Sequence, residues 1–108
     1  MKYARTAALV AAIWALGSGV AHADPKAGQT KSRACAACHG LLGMSILPDA
    51  PNLAGQPEIY LTEQLKAYRS GKRVHEVMSL MAKSLSDDDI ADLSGWYASI
   101  KVDLREKP

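Results

Sequence analysis

Residues 35–39 read Cys-Ala-Ala-Cys-His, and these two cysteines are the only ones in the 108-residue chain. In one helical turn, positions i, i+3 and i+4 share a face, so Cys35, Cys38 and His39 can all point to the same side. That demand constrains the fold more than any other feature: two thiols and an imidazole must meet one ligand across a single turn.

Haem meets the demand. Its two vinyl groups can each take a thiol to form thioethers, while the adjacent imidazole reaches the iron from one face of the ring. Three other uses of the motif stay in view. A disulfide between Cys35 and Cys38 has no need of His39, and a thioredoxin-type motif belongs beside a βαβ pattern, which this sequence lacks. Zinc calls for four ligands, and beyond the leader the chain offers only Cys35, Cys38, His39 and the distant His75, without paired spacing.

The chain opens with Lys2 and Arg5, continues through an apolar stretch at residues 7–16, and reaches small residues ending Ala21-His22-Ala23. This is the pattern of a secretory signal peptide, with cleavage expected after Ala23. The apolar stretch is about half the roughly 20 residues a membrane span needs, so no stable span is expected once the leader is gone. Two cysteines in an exported chain would ordinarily suggest a disulfide. The histidine directly after them, together with the fact that c-type haem is attached after export, favours haem instead.

Removing residues 1–23 from the 108 leaves 85, one domain at 24–108, close to the size at which a plain hydrophobic core becomes marginal. The net charge of +2 belongs to the whole chain; without Lys2 and Arg5, eleven basic residues face eleven acidic ones. A formally neutral domain is a poor partner for nucleic acid.

No strand-like alternation, repeat or low-complexity tract appears, and the domain reads as all-α: about four short helices and one long loop. The first helix is expected from about Lys26 into the cysteine pair. Residues 40–56 hold three glycines and two prolines, which marks a structured loop lying against something apolar. Pro57 suits the first turn of a second helix and Gly71 its stop, with Leu61, Leu65 and Tyr68 as its buried stripe. A short helical piece is expected over residues 74–83. Ser86 caps the last helix, Asp87, Asp88 and Asp89 favour its positive end, and Ile90, Leu93, Tyr97 and Ile100 form its apolar face.

The opposite face of the iron needs its own ligand, and Met44, His75, Met78 and Met81 are the candidates. Met44 lies only five residues beyond His39, too few for the chain to wrap around the ring. Met78 and Met81 lie about forty residues downstream, far enough for the loop and second helix to pass around it. Single methionines more often fill cores. Spacing alone does not choose between the two.

The segments CAACHG, PNLAGQ, YLTEQLKAYRSGKR and MSLMAKSLSDDDIADLSGWYAS resemble class I c-type cytochromes, in particular short bacterial monohaem forms and either half of tandem dihaem cytochromes. The resemblance covers residues 26–100 and implies a small class I cytochrome c fold wrapped around one covalent haem c. It makes Cys35 and Cys38 the thioether residues, His39 the proximal iron ligand and Met78 the distal one, since the distal methionine stands seven residues before the leucine of the LSD segment. It further implies that the Pro51 carbonyl accepts a hydrogen bond from His39. Leu53 is expected to pack on the haem, and Gly28 to let Trp96 approach closely. Gly95, a poor helix residue beside that contact, is expected to loosen the crossing of the terminal helices.

Iron held by His and Met on its two faces has no open position, so the expected role is a periplasmic one-electron carrier and not an enzyme. Redox donors and acceptors are the expected partners, docking transiently over less than about 1,200 Å². Lys66, Arg69, Lys72 and Arg73 near the end of the second helix form a candidate steering patch, though basic residues there also simply complement a helix C-terminus. Two other readings are a haem c subunit of a larger oxidoreductase and a haem-based ligand binder with a labile sixth ligand. His75 in place of Met78 is a further variant, with a lower potential.

Overall fold

The computed structural model describes Gly17 and residues 19–103. The apolar part of the expected leader, residues 7–16, lies outside the described residues. Within them the chain forms five α-helices, one 3-10 turn and no strand. These are α1 (Pro25–Lys31), the 3-10 turn (Ser32–Ala34), α2 (Ala36–His39), α3 (Glu58–Ser70), α4 (Met78–Lys83) and α5 (Asp87–Ser99).

Asp24 starts α1 by accepting the backbone N–H groups of Lys26 and Ala27 at 3.0 and 3.3 Å. The single helix expected through the cysteines is divided instead. Ser32 turns its hydroxyl back to the Gln29 carbonyl at 2.8 Å, and the Cys35 N–H bonds the Ser32 carbonyl at 2.9 Å. A serine that competes for backbone partners, followed by a tightened turn, separates α1 from the one-turn α2.

Pro57 stands just before α3, and Gly71 ends it at φ 82°, a left-handed conformation that favours glycine. α4 begins four residues later than expected. Residues 74–77 are held in a turn by His75, whose Nδ1 accepts the N–H groups of Val77 and Met78 at 3.1 and 3.2 Å. A side chain that meets the orphan donors ahead of a helix sets where it starts. α5 opens with a reciprocal cap: the Ser86 hydroxyl accepts from the Asp89 N–H at 3.0 Å, and the Asp89 carboxylate accepts from the Ser86 N–H at 3.0 Å.

The core is small. Leu61 of α3 packs with Leu93 and Tyr97 of α5, and Cys35, Leu53, Leu65, Leu85, Trp96 and Ile100 surround them, partly buried. α1 crosses α5 at Gly28, where a Cβ would overlap the Asp92 carbonyl and lie 2.7 Å from the Cβ of Trp96. Lys31 fastens the same crossing, reaching Asp89 at 2.8 Å and Asp92 at 2.7 Å. Gly95 lies beside it. A Cβ there would stand 2.8 Å from the Cβ of Ala23, so the missing side chain makes room for the segment that leads into α1.

The loop between α2 and α3 is pinned to α5. The Gly43 carbonyl accepts the N–H groups of Leu53 and Ala54 at 2.7 and 3.1 Å, and the Gly55 N–H donates to the Tyr97 carbonyl at 2.9 Å. Gly43 sits at φ 73°, and a Cβ on it would come within 2.8 Å of the Tyr97 ring. Only glycine meets both demands.

Candidate haem-binding site

The turn at residues 35–39 closes through His39 N–H to Cys35 carbonyl at 3.0 Å and Gly40 N–H to Ala36 carbonyl at 2.9 Å. It brings Cys35 and Cys38, both half-buried with free thiols, next to the buried His39. The His39 Nδ1 lies 2.8 Å from the Pro51 carbonyl oxygen. A carbonyl can only accept, so Nδ1 carries the proton and the lone pair of the imidazole sits on Nε2, ready for a metal.

Two further bonds hold Pro51 in reach. The Ser45 N–H donates to Asn52 Oδ1 at 2.7 Å, and the Ser45 hydroxyl donates to the Cys38 carbonyl at 3.1 Å. Ser45 therefore ties the loop around residue 52 to the cysteine turn. Leu53 follows, partly buried on the core cluster.

Burial pushes the Cys35 thiol up from its ordinary value, and the Tyr97 hydroxyl opposes that shift less strongly. Burial and the neighbouring Cys35 push the Tyr97 phenol up as well. A neutral thioether at this place would carry no such burial penalty. Among the described residues no three His, Cys, Asp or Glu side chains cluster as a metal site would need. The Tyr97 hydroxyl is buried beside the Cys35 sulfur. Nothing in the spacing of α5 marks it as part of the site, because its position reads equally as core.

Met78 is half-buried at the first position of α4, while Met81 is 43% exposed and Met44 48%. His75 is exposed, and its Nδ1 is engaged by the backbone of the α4 turn. Around the cysteine turn and α4 the chain displays many large apolar side chains: Leu41, Leu42, Ile46 and Leu47 on the loop, Val74, Val77 and Leu80 about α4. A domain whose own buried core is this small, with that apolar surface and with two free thiols and an imidazole in one turn, has the donor set and the apolar lining that fit a covalent haem.

The cytochrome c family model matches residues 25–101. The chain is 43% identical over 99 residues to cytochrome c4 of Pseudomonas aeruginosa, covering 89% of this chain and 49% of that protein. It is 46% identical over 79 residues to cytochrome c-554(548) of Halomonas halodenitrificans, covering 70% of this chain and 95% of that one. The crystal structure of reduced recombinant cytochrome c4 from Pseudomonas stutzeri superposes with a TM-score of 0.69 at 39% identity, over 73% of this chain and 46% of that one. The chain thus spans about half the length of the cytochrome c4 proteins it matches. With its all-helical class I fold, its paired thiols and its oriented imidazole, the chain belongs to the cytochrome c family, the electron-transfer proteins that carry covalently bound haem c.

Proposed function

We propose that this protein is an exported one-electron carrier in which Cys35 and Cys38 hold the haem through thioethers and His39 and Met78 ligate its iron. The observation that carries the reading is the 2.8 Å contact between His39 Nδ1 and the Pro51 carbonyl, one turn from two free thiols. When bound, haem supplies a centre that gains or loses one electron.

The chain's own residues do the rest. Pro51 fixes the tautomer and the orientation of His39, which makes the imidazole a stronger and better aimed ligand. Met78 stands at the first position of α4, whose start is set by His75, and its thioether as a ligand would favour the reduced metal relative to a second imidazole. Leu53, Leu61, Leu93 and Tyr97 form the apolar core beside the cysteine turn, and a haem packed on it would be shielded from water, which would limit reorganisation when the charge changes. With His39 and Met78 both given to the iron, the haem would have no place left for a substrate, and the chemistry it would supply is the transfer of one electron. Redox proteins that dock briefly are the partners this chemistry requires, and the leader at residues 1–23 directs the domain to the periplasm.

The test is carbon monoxide binding to the ferrous protein. The parent is expected to resist it, Met78→Ala to bind it readily, and Met81→Ala to behave as the parent; the reverse order for the two variants would reassign the sixth ligand.

A second reading is that the domain works beside another haem module, favoured by its spanning half of the cytochrome c4 chains. Size-exclusion chromatography of the native extract separates the two: a carrier elutes near the domain's own mass, a subunit with a larger assembly.

A further inference from the structure

Asp24 is the residue on which the leader joins the folded domain, and its backbone nitrogen donates to Asp92 Oδ1 at 2.9 Å. Asp92 is a buried residue of α5, and its other oxygen receives Lys31 Nζ at 2.7 Å. From the other side, the Asp24 carboxylate caps α1. Asp24 is therefore held by the domain itself. The chain ahead of it is held weakly: Val20 is 79% exposed, His22 is exposed, and Ala23 contributes its methyl against Gly95.

We propose that export processing cuts the peptide bond between Ala23 and Asp24 and that the α-ammonium released on Asp24 forms an ion pair with the buried Asp92 carboxylate, locking α1 onto α5. Water adds across the amide: Ala23 leaves with the new carboxylate and Asp24 keeps the nitrogen, protonated. The inference rests on the export reading above. Small residues at Ala21 and Ala23 suit the peptidase at the third and first positions before the cut. An amide N–H already in place on Asp92 becomes a cationic donor at the same site, and charge-assisted bonds of this kind are roughly twice as strong as neutral ones. The precursor lacks the charge, so the crossing tightens only after translocation.

The groups facing the new terminus are few. Asp92 attracts it, the Asp24 carboxylate lies beside it, and Lys31 on the far oxygen of Asp92 opposes it while itself shared with Asp89. With the terminus, two cations meet the two carboxylates of α5 and the Asp24 carboxylate that caps α1, whereas without it Lys31 alone faces all three.

The experiment is intact mass and N-terminal sequencing of the haem-loaded protein from the periplasm, followed by NMR titration of its α-amino group. Asp24 is expected as the first residue, titrating at least about one unit above the roughly 7.7–8.0 of a free terminus. Because the folded value is raised, the stabilisation is complete below pH 8 and lost as pH climbs through the folded value. The parent's thermal midpoint is expected to fall over that interval, and Asp92→Asn to return the titration to the ordinary range. If Asp92→Asn does not fold, selective acetylation of the α-amino group in the parent is expected to abolish the alkaline fall. A protein starting at His22, or an Asp24 terminus titrating at or below about 8, would overturn the lock while leaving export intact. Retention of the whole leader would overturn export itself.

Discussion

Gly28 of α1 lies directly against Trp96 of α5, with the Asp92 carbonyl closing the same gap, so that no side chain fits between the terminal helices. The two terminal helices are thereby held at backbone distance. Gly28→Ala must push them apart, and overpacking of this kind costs typically about 1–3 kcal/mol. Denaturant unfolding of the haem-loaded protein is expected to show that loss with an unchanged m-value. A neutral or stabilising result would mean the crossing is looser than described.

Acid weakens the same crossing from its polar edge. Lys31, followed by the Ser86 cap, holds Asp89 down to about 2, and Lys31 with the Asp24 N–H lowers Asp92. Groups whose folded values are depressed contribute stability above their unfolded values near 4, and that stability is lost as pH falls from there towards 2. An acid unfolding series should therefore steepen between about pH 4 and pH 2. Lys31→Gln should flatten it. Equal slopes in parent and variant would place the acid sensitivity elsewhere.

Arg69 joins the end of α3 to the start of α5. Its guanidinium donates to the Leu85 carbonyl at 3.0 Å and to Asp87 at 2.6 Å, a planar fork bridging backbone and carboxylate. Arg69→Ala is expected to lose roughly 1 kcal/mol through the unmet carbonyl, and Arg69→Lys to recover only part, because an ammonium cannot span both acceptors. Thermal melts of the three proteins decide this; full rescue by lysine would make charge, not geometry, the operative feature. The finding also removes Arg69 from any freely available steering patch, as Arg73 is likewise engaged with Gln64 at 2.6 Å and lies over the Tyr68 ring at 4.7 Å.

Replacing the thioether with an imidazole should lower the reduction potential. Met78→His is expected to do so in a redox titration, with loss of the far-red absorption of iron–methionine ligation. Met81→His should leave both unchanged. A lowered potential in the Met81 variant alone would identify that residue as the ligand.

Much of this arrangement was legible from residues whose signals are local. Ser86 with Asp89 announces the start of α5, Pro57 and Gly71 bracket α3, and the cysteine pair with the histidine beside it points to haem. The division between α1 and α2 was not, because it depends on Ser32 finding the Gln29 carbonyl. The late start of α4 depends likewise on the imidazole of His75. The neighbour that Gly95 makes room for, Ala23, is far away in sequence and leaves no local signal. Pro51 is a different case: a loop carbonyl twelve residues from His39 leaves no periodic trace, and only likeness to a family suggested it. The ties from Asp92 to Asp24 and Lys31 were missed entirely, since an aspartate inside an amphipathic helix reads as solvent-facing until α1 covers it.

The central claim is that one haem is stitched to Cys35 and Cys38 within a single turn. Tryptic digestion separates a peptide of residues 34–66 that contains both thiols, and its mass under denaturing conditions is the most direct measurement. That peptide is expected to carry one intact haem. A bare peptide, or one lighter by two hydrogens for a bridged pair of sulfurs, would contradict the account.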